Sequence, residues 1–317
     1  MRYTEVKDLK VSAFTLGTAQ LGYDYGINNA IGKPSREAAF AILDAAVANG
    51  VNCIDTSDDY GDSEVVIGEW IKSKGKNPVK YLTTKASTAN IDHSSFEALR
   101  SSIFACVERS KARLHVDQIP VLMLHSYDDY AKNPDGMKKI FDELKERGDI
   151  LYSGISAYSF HDYSLLAKSG FDAVQINQNI FDWTQIDNGG IQQIADAGIM
   201  IFVRSVYLQG LVFKDPAQLD ERMDFCKKPL EDFRGFCKEF NLDPASMCLS
   251  FLLSIPGVTS LVLGCETPDQ VAGNANQIGD TVTFGKADME RFHAAFSNLD
   301  PRVTNPGCWF NNRGNQR

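Results

Sequence analysis

Two kinds of apolar stretch alternate along the chain. Short runs rich in β-branched and aromatic residues stop at polar or Gly-containing loops, and between them lie longer stretches whose apolar residues recur three or four positions apart. The short runs stop at Gly17, Asp55, Lys85, His125, Ser156, Asn177, Val206 and Gly264, so eight strands are expected. Helices are predicted between them. Ser35 suits the cap of one that carries Phe40, Leu43 and Val47 and ends at Asn49-Gly50. Another starts at Ser63; a third covers 94–114, with Phe96, Leu99, Ile103, Cys106 and Val107 on one face; a fourth covers 134–147, with Pro134 in its first turn. Shorter helices are predicted at 161–169, 188–197, 229–240 and 244–254, then from Thr267 and over 286–297. Successive strand ends lie 21 to 40 residues apart, with one gap of 58 that holds an additional helix. That spacing suits βα units. Residues 3–13 alternate and turn at Lys7-Asp-Leu, which predicts a hairpin across the bottom of a barrel. The expected fold is α/β, a single (β/α)8 TIM barrel with an N-terminal hairpin and extra helices near the C-terminus.

Composition narrows the picture. A chain of 317 residues, 44% hydrophobic and 23% charged, fits one barrel domain over 1–317. The polar segment 305–317, with Trp309 and Phe310 in it, is expected either to fray in solvent or to fold over the barrel mouth. A net charge of −9 and no basic cluster argue against a nucleic-acid partner. The first ten residues lack the apolar core of a signal peptide, and no apolar run approaches the ~18 needed to span a bilayer. A cytoplasmic location without membrane contact is expected. Seven cysteines, with no C-x-x-C pair, read as reduced core residues, among them Cys53, Cys106, Cys237 and Cys248. Oligomeric state has no signature in the sequence.

The candidate chemistry sits at strand ends, which a parallel barrel gathers into one mouth. In Cys53-Ile-Asp-Thr-Ser-Asp-Asp-Tyr-Gly61 a buried strand releases Asp55 and Tyr60 into a polar loop; the next two runs close on Lys85 and His125. A phenol is a poor acid, with an ordinary pKa near 10, so proton transfer at neutral pH needs a stabilised phenolate. A Lys85 ammonium beside Tyr60 would supply that, Asp55 would keep the lysine charged and oriented, and His125 would hydrogen-bond the oxygen of a reacting carbonyl. The four contain no nucleophile, so the carbonyl carbon must receive something else, and hydride is the candidate. His93, His115, His161 and His293 read as structural. With five histidines and no H-x-H pattern, no metal is expected.

These residues carry a resemblance. Gly17-Thr18, Ile54-Asp-Thr-Ser-Asp-Asp-Tyr-Gly61, Leu82-Thr-Thr-Lys85, Leu122-Met-Leu-His125, Gly154-Ile-Ser156, Val174-Gln-Ile-Asn177 and Pro268-Asp-Gln-Val271 with Asn274 resemble the aldo-keto reductase family in order and spacing. The resemblance implies reduction of an aldehyde or ketone by a nicotinamide cofactor, with Tyr60 as the acid and Asp55, Lys85 and His125 as its supports. It also implies that Ser156 and Gln175 hold the nicotinamide amide, with Ala157 standing where the family often has Asn. The rest of the cofactor is expected against Gly17, Thr18, Asp55, Arg204, Ser205, Val206, Tyr207, Leu208, Gly210, Gly264, Thr267, Gln270 and Asn274. No G-x-G-x-x-G motif supports a Rossmann alternative.

Two departures matter. Arg204 occupies a place where the family commonly has an aromatic ring stacked on the nicotinamide; it could face an anionic or polyhydroxylated substrate instead. At the adenosine end, 263–274 contains no Lys or Arg for a 2′-phosphate, so NAD(H) competes with the NADP(H) that the family habit favours. Tyr23, Tyr25, Tyr127 and Trp183 are candidate substrate contacts, or loop packing. The first-loop run from Leu16 to Asn28 resembles relatives associated with bacterial surface-polysaccharide sugars, which points to an open-chain sugar or other polyhydroxylated carbonyl. Two alternatives stay open: a sugar dehydrogenase working oxidatively, and a non-catalytic nucleotide-binding subunit resembling the potassium-channel β subunits.

Overall fold

Residues Tyr3–Val6 (β1) and Leu9–Ser12 (β2) pair antiparallel, Tyr3 opposite Ser12, and form the predicted hairpin. The structure, a computed structural model, describes residues 1–24, 32–88, 91–304, 306 and 309. Eight further strands follow: Phe14–Gly17 (β3), Cys53–Asp55 (β4), Tyr81–Ala86 (β5), Ile119–Leu124 (β6), Ile150–Ala157 (β7), Ala173–Asn177 (β8), Met200–Arg204 (β9) and Val258–Gly264 (β10). All pair in parallel with their neighbours, and β10 pairs with both β9 and β3, which closes the barrel. Register aligns the strand ends: Gly264 lies opposite Gly17 and Gly17 opposite Asp55. One rim therefore carries the polar ends of every strand.

The opposite end is sealed by apolar side chains. Cys53, Tyr81, Val121, Met123, Ala173, Met200 and Phe202 form an interior layer, and Val11 of the hairpin completes it. The hairpin is anchored there by a reciprocal pair, Ser12 N–H to the Asn52 side chain at 2.8 Å and Asn52 N–H to the Ser12 hydroxyl at 3.1 Å. A second, larger apolar shell fills the space between strands and helices, with Trp70, Phe141, Phe251 and Phe292 fully buried in it. Because strands buried on both faces have no wet side, they read as continuous apolar runs, which is why the sequence shows them clearly.

Helix starts follow the cap residues. Ser35, Ser95, Asp243 and Thr267 each accept a backbone N–H of the first turn. The 58-residue gap holds two helices, Lys227–Phe240 and Pro244–Ser254, preceded by 3-10 turns. Two expectations are corrected. The seventh barrel strand ends at Arg204, two residues short of Val206, because Ser205 adopts φ 64 and turns the chain out of the sheet. Short helices at Ala19–Gly22, Tyr127–Lys132 and Thr184–Asp187 were not expected from the pattern, since one turn is too brief to show a 3.6-residue period. Among the described residues no helix is long and apolar enough to cross a membrane.

One close approach ties the first loop to the second. A Cβ on Gly22 would lie 1.7 Å from the Tyr60 carbonyl oxygen, and Gly61, at φ 55, abuts the Gly22 carbonyl in return. Gly22→Ala is therefore expected to lower the unfolding free energy by about 3 kcal/mol through overpacking, measured by guanidinium denaturation.

Candidate active site

Strands β4, β5 and β8 deliver three side chains to one buried point. The Lys85 ammonium meets both Asp55 carboxylate oxygens, at 2.7 and 2.9 Å, and the Thr56 carbonyl at 2.8 Å. These three acceptors match the three N–H bonds of an ammonium. The Gln175 side-chain N–H donates to Asp55 Oδ1 at 2.7 Å, which orients the amide, because a carboxylate only accepts. Lys85 is fully buried and Asp55 nearly so. Burial pulls the Lys85 pKa below its ordinary value; Asp55 pulls the other way, and the Arg204 charge adds to the lowering.

Tyr60 stands above this pair. Lys85 Nζ lies 5.0 Å from the centre of its ring, close enough for the charge to act on the phenol through space. The loop that carries Tyr60 is fixed by its own backbone, Tyr60 N–H to Ser57 O at 3.1 Å and Ser63 N–H to Tyr60 O at 3.0 Å. Thr18 N–H and hydroxyl both donate to the Asp55 carbonyl, at 3.0 and 2.9 Å, joining the first two strand ends. His125 stands edge-on to Tyr60, ring centres 6.1 Å apart, with its Nδ1 3.2 Å from Asp59. All four residues singled out by the sequence thus meet at one rim.

A cavity of about 1370 Å³ opens beside Asp55 and Tyr60, which line it, while Lys85 and His125 stand next to them outside its lining. It exceeds the 300–1,000 Å³ typical of small-ligand pockets, which leaves room for a dinucleotide and a second molecule. Its walls include Gly17, Thr18, Asp55, Tyr60, Gln175, Arg204, Ser205, Val206, Tyr207, Gly210, Gly264, Gln270 and Asn274. Ser156, Leu208 and Thr267 lie behind the wall: Ser156 and Leu208 are buried, and the Thr267 hydroxyl caps the helix Pro268–Gly279. Backbone strain collects at this wall, where the non-glycine residues Ser205, Leu208 and Gln209 take positive φ, a cost borne most often at functional sites.

The substrate candidates separate. Tyr23 meets the Tyr60 ring edge at 6.2 Å between centres and is exposed. Tyr127 is buried, stacked on His161 at 4.2 Å with its hydroxyl donating to Asp162 O, and Trp183 is buried against Phe251 with its indole N–H on Ile180 O. None of these three lines the cavity; Tyr25 lies outside the described residues. Sequence reasoning missed Gln20, Tyr158, Phe160, Asn177, Gln209, Phe213 and Gln277, which line the cavity together with Glu266 of the adenosine-end segment. The exposed aromatics Tyr158 and Phe160, directly after a strand end, were the available signal. Pro301, Thr304 and Pro306 also line it, and Trp309 is buried with its indole N–H on Arg302 O at 2.7 Å, so the described part of the C-terminal segment lies over the mouth.

A parallel eight-stranded barrel with an ion pair, a phenol and an imidazole at its C-terminal rim is the build of a carbonyl oxidoreductase. The model of the Aldo/keto reductase family matches residues 13–295, and the chain belongs to that family. It is thereby an oxidoreductase enzyme, of a family that reduces carbonyl compounds and generally uses NAD(P)H. Among relatives, an uncharacterized oxidoreductase of Bacillus subtilis is 26% identical over 84% of this chain and 87% of its own. An aryl-alcohol dehydrogenase of Pestalotiopsis microspora is 30% identical over 87% of this chain and 77% of its own. A norsolorinic acid reductase of Emericella nidulans, 32% identical, is matched over only 40% of its length. In fold, the holo form of an aldo-keto reductase from Bacillus halodurans superposes with a TM-score of 0.73 at 22% identity, covering 96% of this chain and 99% of that one.

The buried pair makes a stability prediction. Lys85→Met leaves the Asp55 carboxylate buried without its cation and is expected to cost about 3–5 kcal/mol. Adding Asp55→Leu to it recovers most of that loss, which paired denaturation curves would show.

Proposed function

We propose that the chain is an NAD(P)(H)-dependent reductase of an aldehyde or ketone, with Tyr60 as proton donor. The observation that carries this reading is the placement of the Lys85 charge under the Tyr60 ring at the edge of a cavity large enough for a dinucleotide. A bound reduced nicotinamide supplies the hydride. The side chains supply the rest: Asp55 holds Lys85 in place, Lys85 stabilises the negative charge that grows on the phenol, and His125 steers the carbonyl oxygen towards Tyr60. Gln175, with one N–H committed to Asp55, keeps its carbonyl oxygen for the amide end of the cofactor.

The cofactor is NAD(H) in this reading. Among the described cavity-lining residues Arg204 is the one cationic side chain, and it belongs to the catalytic end, with its guanidinium 4.4 Å over the Tyr158 ring. The far end is lined by Glu266, Gln270, Asn274 and Gln277, with the Gln270 carbonyl already accepting the Glu266 N–H at 2.7 Å. Among the described residues lining that end, a dianionic 2′-phosphate would find a carboxylate and no cation. The substrate is a small carbonyl compound of polyhydroxylated character, for which Gln20, Asn177 and Gln209 offer hydrogen bonds and Tyr158 and Phe160 offer apolar faces. The enzyme works in the cytoplasm, where its described cysteines, all free and buried, are at home.

Two experiments test this. Titration of the protein with each reduced cofactor is expected to give a Kd for NADH at least about tenfold lower than for NADPH, a difference of about 1.4 kcal/mol; tighter NADPH binding would refute the NAD(H) assignment. In a screen of aldehydes, α-dicarbonyls and free sugars, Tyr60→Phe is expected to keep cofactor affinity and to lose turnover by roughly 10²–10⁴-fold, whereas undiminished turnover would refute the role of Tyr60.

A further inference from the structure

His125 has two ring nitrogens, and the structure commits one of them. Nδ1 lies 3.2 Å from Asp59 Oδ2 and 3.4 Å from the Ser57 hydroxyl, while the His125 backbone N–H donates to Ala86 O. An ionised carboxylate can only accept, so the nitrogen facing it carries the proton. Nε2, across the ring, is the nitrogen left for a substrate. We propose that Asp59 is a positioning residue of this site: it fixes the tautomer and the turn of the His125 ring so that Nε2 meets the oxygen that Tyr60 protonates. The inference rests on the functional reading above.

Several features support it. The hydrogen bond from His125 holds the Asp59 pKa below the usual carboxylate value against the opposing effect of partial burial, so Asp59 is an anion at neutral pH. Asp58 also feels the imidazole, but its close contacts go elsewhere. Asp58 takes the Cys106 thiol at 3.1 Å and has Arg109 at 3.7 Å, and Lys85 is held by Asp55. Asp59 is also adjacent in sequence to Tyr60, and Ser57 secures both: its hydroxyl accepts the Asp59 N–H at 3.2 Å and its carbonyl accepts the Tyr60 N–H at 3.1 Å. One rigid loop thus sets the position of the phenol and the orientation of the imidazole. Because the two rings stand at 79°, a ring flip that exchanged Nδ1 and Nε2 would change which nitrogen sits on the substrate side.

The fixed tautomer has a chemical consequence. With Nδ1–H on Asp59, the ring meets a carbonyl oxygen as the imidazolium, donating from Nε2–H; its second proton comes from solvent, to which the pair is open, and stays on the ring while Tyr60 gives its own proton to the oxygen. The Asp59–His125 pair is partly open to solvent, with side-chain exposures of 52% and 31%, so removing it leaves the fold nearly untouched.

Nitrogen NMR of the full chain labelled with [15N]histidine tests the proposal, with His125 assigned by its absence from the His125→Gln spectrum. The neutral ring is expected as the Nδ1–H tautomer in the native protein and moves towards Nε2–H in Asp59→Ala. In the same variant kcat for carbonyl reduction falls roughly 10- to 100-fold with cofactor Kd unchanged, and Asp59→Asn, which keeps an acceptor oxygen, restores most of the rate. An Nε2–H tautomer in the native protein, an unmoved tautomer in Asp59→Ala, or an unchanged kcat there overturns the proposal. The spectra need no turnover, so a native protein inactive on every carbonyl would count against the functional reading while the tautomer still decides the hold of Asp59 on the ring.

Discussion

A lysine ammonium and a carboxylate buried together beneath a barrel mouth are the constraint on which the site depends. Removing each from water costs several kcal/mol, and mutual attraction offsets that only when geometry and extra hydrogen bonds are good. Here they are: two carboxylate oxygens and the Thr56 carbonyl around Lys85, and the Gln175 amide on Asp55. The partners come from three strands, so the pair holds β4, β5 and β8 in fixed register at the rim. An apolar pair of the same volume could stabilise the barrel as well. What it could not do is place a positive charge under Tyr60.

From that point the molecule divides by function along the barrel axis. The lower end is closed by Val11 and a layer of apolar side chains, and contributes rigidity. The upper end is polar, its first two loops hydrogen-bonded to one another, with backbone strain concentrated between Ser205 and Gln209 where the cavity wall must curve. The charge within the cavity is uneven, with Arg204 near the reacting end and Glu266 at the other. This unevenness, more than any single residue, underlies the proposed choice of an unphosphorylated dinucleotide.

The barrel was legible because its strands are wet on neither face and its helices begin at capping side chains, and both leave marks in the sequence that survive without an alignment. The four rim residues were legible because strand ends are where such chemistry collects. Other features leave no periodic mark. The turn at Ser205 depends on a left-handed backbone that no glycine advertises, and the helix Tyr127–Lys132 is a single capped segment in what reads as loop. Tyr127 and Trp183 looked like pocket aromatics by position, yet the structure packs both rings inward, while Tyr158 and Phe160, two residues apart, stack outward at the mouth. Which way an aromatic in a loop points is set by tertiary packing, and local sequence does not record it. The partner of His125 was hidden for the same reason: Asp59 is one of three acidic residues in a short loop, and only the fold selects it.

The most direct measurement is a crystal structure of the protein with reduced dinucleotide and a non-reacting carbonyl analogue. The account predicts the nicotinamide ring against Gln175 and Asp55, with the analogue's oxygen within hydrogen-bond reach of the Tyr60 hydroxyl and its carbon roughly 3–3.5 Å from the hydride-bearing carbon. A dinucleotide seated elsewhere on the barrel, or a carbonyl oxygen turned away from Tyr60, would contradict it.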